Sequence, residues 1–372
     1  MRVGLAVLVA ASLLLADQPP SLPAAPSGQW REAGALNSPR SYGMAIPLRD
    51  GRVLLLDGLR ALESDDVVAK DELFDPRSGR STPVVGRSAP RIHATATVLK
   101  DGSVLVVGGA RRMGTGWRDE QIVELFDPRT GRWRERHQLL LPRSDHGAAL
   151  LPDGRVLVAG GHIGVLLLDS VAIYDPQLDM WVDGPSLPAP RKLFSIASLP
   201  DGRVLIAGGI ESGVVSRSSV LYDAAANAWT PGPELAIPRA LNATVQEANG
   251  DVFLIGGQDA AAGSAERYDF KRNAFTYAGS LVRPRMVPFG FALSSGQLVV
   301  AGGLPRPAQV LDHFAPVDTT ELYDAQENTW VAGPRLLAPI AFPAVAVFPS
   351  AAWVFGGAIE DERPIPLVQR FP

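Results

Sequence analysis

The stretch VLKDGSVLVVGG, from Val98 to Gly109, decides the fold. An apolar segment reaches Leu99, Asp101-Gly102 reverses the chain, and a second apolar segment ends in two glycines. Asp-Gly is the dipeptide of a two-residue hairpin, in which both central residues take positive φ. Ala94–Leu99 is therefore expected to fold directly back on Val104–Gly109. The second half of this stretch recurs as VLVAGG (Val156–Gly161), VLIAGG (Val204–Gly209), VFLIGG (Val252–Gly257), LVVAGG (Leu298–Gly303) and WVFGG (Trp353–Gly357). A degenerate first copy, VLLLDG, ends at Gly58. From copy to copy the last glycine advances by 51, 52, 48, 48, 46 and 54 residues. A fixed period near 50 marks an array of supersecondary units, each too small to bury its own apolar face.

Each unit has the same internal order. A turn dipeptide precedes the Gly-pair strand: Asp50-Gly51, Asp101-Gly102, Asp153-Gly154, Asp201-Gly202, Asn249-Gly250 and Ser295-Gly296. An aromatic-Asp pair follows it, as Phe74-Asp75, Phe126-Asp127, Tyr174-Asp175, Tyr222-Asp223, Tyr268-Asp269 and Tyr323-Asp324. Pro76, Pro128 and Pro176 then open a turn, and Trp133, Trp181, Trp229, Phe275 and Trp330 begin a fourth strand. Ser81 holds the Trp position of its unit, which predicts the least well packed blade there. Four short antiparallel strands per unit describe one blade of a β-propeller. The Gly-pair strands are apolar on both faces, as in Val204-Leu205-Ile206-Ala207, and are expected to stand innermost, with the glycines turning the chain at a crowded channel.

The two ends are each part of a unit. The first repeat opens mid-unit at Trp30, and the chain stops mid-unit at Leu367–Phe371, where the other units carry their aromatic-Asp strand. Joined, they make one blade, and closing the ring in this way removes the exposed sheet edges. The expected fold is all-β: a seven-bladed β-propeller over residues 30–372, its ring closed by a blade shared between the N- and C-termini.

The Gly-pair strand, the spaced Tyr-Asp and Trp, and the Arg ahead of each first strand resemble kelch repeats, from about Trp30 to Phe371. The resemblance implies the propeller fold and says little about activity, because sites are grafted onto such folds in their loops. It extends to the propeller of galactose oxidase, an enzyme with a copper site and a tyrosine cross-linked to cysteine. This chain has no cysteine, so that chemistry is missing, and with it disulfides, thiolate catalysis, Cys-ligated metal and lipobox acylation.

The hairpins select a working face. Each first strand starts after an arginine and its partner returns to the Gly pair, so both the arginines and the residues following the glycines fall on one end of the ring. The arginines are Arg40, Arg91, Arg143, Arg191, Arg239 and Arg285, and only the seventh unit departs, with Pro339-Ile340. Six guanidinium groups around a channel mouth would grip a carboxylate or phosphate. The same spacing also suits residues that brace one blade against the next. Variable positions on this end add Tyr42, His93, Asp145, His146, Phe194, Asn242 and Phe289 after the arginines, and His162, Glu211, Gln258 and Glu360 after the glycines. Kelch modules that bind peptides use the equivalent end, so the resemblance implies a ligand there. The candidate ligand-binding set is Arg40, Arg91, His93, Arg143, His146, His162, Arg191, Glu211, Arg239 and Arg285. Two longer connections join this face: Arg111–Asp119, with three arginines and Trp117, and Leu304–Thr320, with Arg306, Asp312, His313 and Asp318.

No constellation on this end spells out a reaction. His93, His146 and His162 come from adjacent units but lack the close spacing of a metal motif, and no metal or other cofactor is expected. No nucleophile elbow and no phosphate-cradling glycine loop is present. The expected function is a non-catalytic binding or scaffold protein for a protein, peptide or glycan, monomeric. The enzyme alternative is a sialic-acid mutarotase-like isomerase, an activity carried by some exported bacterial kelch propellers. Anomer interconversion needs an acid/base group beside an anion-binding arginine, and Glu211 or Glu360 is placed for it. A net charge of −4 without a long single-sign run argues against nucleic acid as the partner.

Met1–Ala16, MRVGLAVLVAASLLLA, carries one early arginine and an apolar run too short to span a bilayer comfortably. With the small residues and Pro-rich stretch that follow, it has the layout of a secretory signal peptide. Residues 1–16 are expected to be the signal and 17–29 a linker. The mature protein is then secreted or periplasmic, without stable membrane insertion.

Overall fold

The computed structural model describes residues 28–60, 67–68, 70–87, 90–114, 116–305 and 315–372. The expected signal peptide and the positions Arg306, Asp312 and His313 lie outside the described residues. Seven antiparallel sheets of four strands each account for the repeats. The third blade is typical, running Gly147–Leu150, Val156–Ala159, Val171–Asp175 and Met180–Gly184 from axis to rim. First strands of successive blades lie against one another in a closed circuit, from Met44–Pro47 round to Ala344–Phe348 and back. The seventh sheet takes its outermost strand, Arg31–Ala35, from the N-terminal side, paired to Leu367–Phe371.

The closing blade carries the same aromatic lock as the others. Within blades, Phe126–Trp133, Tyr174–Trp181, Tyr222–Trp229 and Tyr323–Trp330 place their rings 5.0 to 5.1 Å apart. Trp30 and Phe371, from opposite ends of the chain, meet at 5.1 Å, and the Trp30 indole donates to Thr320 of the sixth blade at 3.0 Å. Other indoles reach back to a carbonyl of the preceding blade: Trp229 to Pro185 and Trp330 to Ala278, both at 2.8 Å. In the first blade Ser81 leaves Phe74 without this partner, and Trp353 of the seventh blade packs against it at 5.7 Å instead.

The tyrosine position dictates the residue five places on. Tyr174, Tyr222, Tyr268 and Tyr323 donate to Asp179, Asn227, Asn273 and Asn328, and each acceptor sits at positive φ, between 48° and 53°. Asp and Asn tolerate that conformation better than other residues with a Cβ. Where the ring is Phe74 or Phe126 and no hydroxyl asks for an acceptor, the position is Gly79 or Gly131.

Two expectations are corrected. The Gly-pair strand stands second from the axis. The innermost strand is the one before the turn, since the first strands of successive blades lie against one another; in the third blade it begins Gly147-Ala148-Ala149, where a Cβ on Gly147 would fall 2.5 Å from the Phe194 ring. The turns are also not two-residue hairpins. Gly102 N–H donates to Leu99 O at 2.9 Å and Leu99 N–H to Ser103 O at 2.8 Å, so the loop is Lys100-Asp101-Gly102. Only Gly102 takes positive φ, at 89°, which is the three-residue turn with a glycine bulge. Asp101 accepts the Ser103 amide, its reason for being there.

Candidate functional site at the channel mouth

Strand pairing puts the arginines and the residues after each Gly pair on the same end. Arg191 pairs with Glu211 and Arg285 with Pro305, and single bridges join Ser41 to Leu59, Ile92 to Ala110, and Ser144 to His162.

The six arginines do not face that opening. Their side chains are at most 2% exposed, and each binds inside its own blade. Arg239 donates to Gly256 O at 3.1 Å, Ser264 O at 3.2 Å and the Glu266 carboxylate at 2.9 Å. Glu266 in turn accepts the backbone amides of Ala236 and Ile237, in the segment entering from the previous blade. Glu72 with Arg40 and Glu321 with Arg285 repeat this clamp, and Glu124 holds Arg91 at 2.5 Å. In the seventh blade Ile340 replaces the arginine, and Gln369, a neutral acceptor for Leu337 N–H, replaces the glutamate. A fully buried guanidinium bonded to buried carbonyls and a buried carboxylate presents no donor at the surface to an external anion.

Arg191 and Arg143 vary the pattern. Val220 occupies the glutamate position of the fourth blade, and Glu211 pairs with Arg191 from the mouth side at 2.6 Å. The Glu211 carboxylate also accepts Ser218 Oγ at 2.6 Å. Ala172 occupies that position in the third blade, so among the described residues the Arg143 guanidinium bonds to Gly160 O, Ser170 O and Ser170 Oγ alone, each within 3.0 Å. Burial without an anion holds its pKa down to about 10.

What the mouth presents is a different ring. The residue two places after each arginine, or after Ile340, has positive φ: Tyr42, His93, Asp145, Leu193, Leu241, Val287 and Phe342, all between 48° and 58°. That conformation is costly for a residue with a Cβ, most of all for β-branched Val287. It persists because the ring is tied head to tail, with Tyr42 N–H donating to Phe342 O, Asp145 N–H to His93 O, and Val287 N–H to Leu241 O, at 2.9 to 3.2 Å. One arc of the ring is apolar, Phe342 stacking on Tyr42 at 4.1 Å and packing with Val287.

The other arc is a charged cluster. His93 Nδ1 lies 2.9 Å from Asp145 Oδ1, His162 Nδ1 3.6 Å from Oδ2, and Lys192 Nζ 4.0 Å from Oδ2. Burial works to raise the Asp145 pKa, but His93, His162 and Lys192 together hold it below the ordinary carboxylate value. Burial depresses His162, Asp145 opposes that, and Lys192 adds to it. Lys192 and His162 keep about a fifth of their side chains exposed, so this arc is reachable from solvent. His146 belongs to the layer beneath, where Nε2 meets Thr95 Oγ1 at 2.9 Å. Burial, and Arg143 next to it, push its pKa down to about 3, so it is neutral. Of the three histidines, His93 and His162 thus converge on Asp145 and His146 turns away. Among the described residues no group of three or more His, Asp or Glu is arranged to hold a metal ion.

Seven four-stranded sheets in a ring, the Gly-pair period and a match of the Kelch motif family to residues 142–188 agree. The chain is a β-propeller, and the repeat at residues 142–188 matches the Kelch motif. The propeller superposes on a fungal alcohol oxidase of the AA5 family, solved in complex with copper, with a TM-score of 0.74 and 16% identity over 92% of this chain and 76% of the oxidase. It also superposes on YjhT, with a TM-score of 0.61 and 14% identity over 80% of this chain and 99% of YjhT. At these identities the likeness is one of fold. No curated protein sequence matches the chain.

Lys192 joins the candidate site and was not among the expected residues, while Asp119 closes the Arg111–Asp119 connection that the sequence puts on this face. Asp119 accepts Ser144 Oγ at 2.5 Å and Gly164 N–H at 2.7 Å, tying together the post-glycine hairpins of the second and third blades. The signal for Lys192 was its place directly after Arg191, one residue from the positive-φ ring.

Proposed function

We propose that the propeller is a non-catalytic binding protein that recognises a peptide or glycan at the Arg-bearing end of its channel, through Asp145, His93, His162 and Lys192. The observation that carries this reading is an ionised and nearly buried carboxylate, Asp145, itself held at positive φ and faced by His93, His162 and Lys192. Such a group binds hydroxyl or amide hydrogens well, because its own orientation costs nothing further on binding. Glu211, the acid or base that anomer interconversion would use, is held by Arg191 and Ser218, which supports binding over turnover. This reading includes a periplasmic or extracellular location, supported by the signal-like layout of Met1–Ala16, and a monomeric protein.

One observation favours the enzyme reading. His93 and Asp145, 2.9 Å apart, form a pair in which a carboxylate orients an imidazole for proton transfer. A mutarotation assay with freshly dissolved N-acetylneuraminic acid separates the two. The binding reading expects no acceleration and a ligand on a peptide or glycan array that is lost in Lys192→Ala and His162→Ala. Acceleration abolished by His93→Ala or Glu211→Gln would replace it with an isomerase.

A further inference from the structure

We propose that a second site, a groove between the second and third blades at the rim of the same end, binds a neutral saccharide chain against Trp117. This inference stands whether or not the mouth holds a ligand. The groove has a volume of about 660 Å³ and is bounded by Trp117, Arg118, Gln121, Gln138 and Ile163, with Asp119 and Glu120 between. It takes shape because the hairpin strands Ala110–Met113 and Gly116–Asp119 stand beside the short hairpin strand His162–Ile163, and Asp119 bolts the two together. The site is therefore preformed, and binding does not have to order it.

Charge selects the class of ligand. Glu120, only 4% exposed, takes Arg111 Nε at 3.1 Å and Arg118 at 3.3 Å, while Asp119 is held by Ser144 and Gly164. Two cations and two carboxylates cancel, so neither an anion nor a cation finds a net opposite charge. The groups that remain suit hydroxyls: carboxylate oxygens, the guanidinium edge of Arg118, and the amides of Gln121 and Gln138. Gln121 already donates to Leu140 O at 2.7 Å, which leaves its carbonyl oxygen as an acceptor.

Trp117 supplies the apolar part. Arg112 packs over its indole at 5.7 Å, fixing the ring. Its Nε1 is buried and finds no hydrogen-bond partner among the described residues. The ring lines the groove and offers a ligand its apolar surface. A pyranose has this mixed character, with an apolar C–H face and a rim of hydroxyls. A peptide is the competing class.

The test is titration of the full chain by intrinsic fluorescence and calorimetry with maltotriose, cellotriose and N,N′,N″-triacetylchitotriose, and with trigalacturonate and trialanine as charged and peptide controls. At least one neutral trisaccharide should bind, and Trp117→Ala should weaken it roughly tenfold or more with an unchanged melting temperature. Gln138→Ala should weaken it by a smaller factor, and Lys192→Ala should leave it unaltered. Absence of binding by all three sugars at millimolar concentration, equal binding by Trp117→Ala, or a preference for trigalacturonate or trialanine would overturn the proposal. Loss in Lys192→Ala with retention in Trp117→Ala would place the sugar at the mouth instead.

Discussion

Replacing Arg239 and Arg143 in turn by methionine should have very different costs, although the two occupy the same position in the fifth and third repeats. Arg239→Met leaves Glu266, 2% exposed, as a buried carboxylate facing only two backbone amides. Removing one partner of such a pair costs about 3–5 kcal/mol. For roughly 340 folded residues the unfolding entropy is about 0.7 kcal/mol per degree, so the melting temperature should fall by about 4–7 °C. Arg143→Met removes a buried cation that has no carboxylate opposite it and whose pKa burial has already lowered to about 10. Lost bonds to Gly160 O and Ser170 are set against relief from burying that charge, and the net change should be within about 1–2 kcal/mol. Guanidinium unfolding followed by far-UV circular dichroism measures both. Equal losses for the two variants would refute the clamp as the source of the difference.

Three further outcomes follow from the packing and the charges. Burial, with Asp57 adding to it and Arg87 opposing, lifts the Asp71 pKa to about 6. The folded protein then holds this proton more tightly than the unfolded chain, so stability falls as pH rises from about 4 to about 6 and this contribution is level above that. Asp71→Asn should flatten that part of the profile in denaturant titrations from pH 4 to 7, and an unchanged slope would assign it elsewhere. Tyr323→Phe, which drops the bond to Asn328, should cost about 1 kcal/mol, and the double variant with Asn328→Gly should recover part of it, as Phe126 and Gly131 do naturally. Deleting Pro364–Pro372 removes the strand that pairs with Arg31–Ala35 and exposes two sheet edges, so cooperative melting should be lost; an unaltered transition would mean that the ring is not closed by both ends.

The fold was legible because its signals are local and repeated. The Gly pairs, the aromatic-Asp pairs and the tryptophans each follow from one blade's own packing, and the half units at Trp30 and Leu367–Phe371 required only counting. Turn type was misread because Asp101-Gly102 looks the same in a two-residue and a three-residue loop, and Gly102 alone reports the difference through φ. The role of the arginines was half visible. Glu72, Glu124, Glu266 and Glu321 run in phase with Arg40, Arg91, Arg239 and Arg285, and the change to Gln369 where Ile340 replaces arginine is a pairing the sequence already contains. The mouth cluster was the least legible, since His93, Asp145 and Lys192 come from three blades and meet only once the ring is closed. Even so, His93 and Asp145 share the position two residues after an arginine, which is the position that lines the mouth.

The most direct test of the account asks which groups on the Arg-bearing end hold a ligand. Peptide and glycan arrays should be probed with wild-type protein, Lys192→Ala, His162→Ala and, below its melting temperature, Arg239→Met. The account predicts that whatever the wild type captures at the mouth is retained by Arg239→Met and lost by Lys192→Ala and His162→Ala, with melting unchanged in the last two. Capture lost with Arg239→Met but kept by Lys192→Ala and His162→Ala would contradict it and return the site to the guanidinium ring.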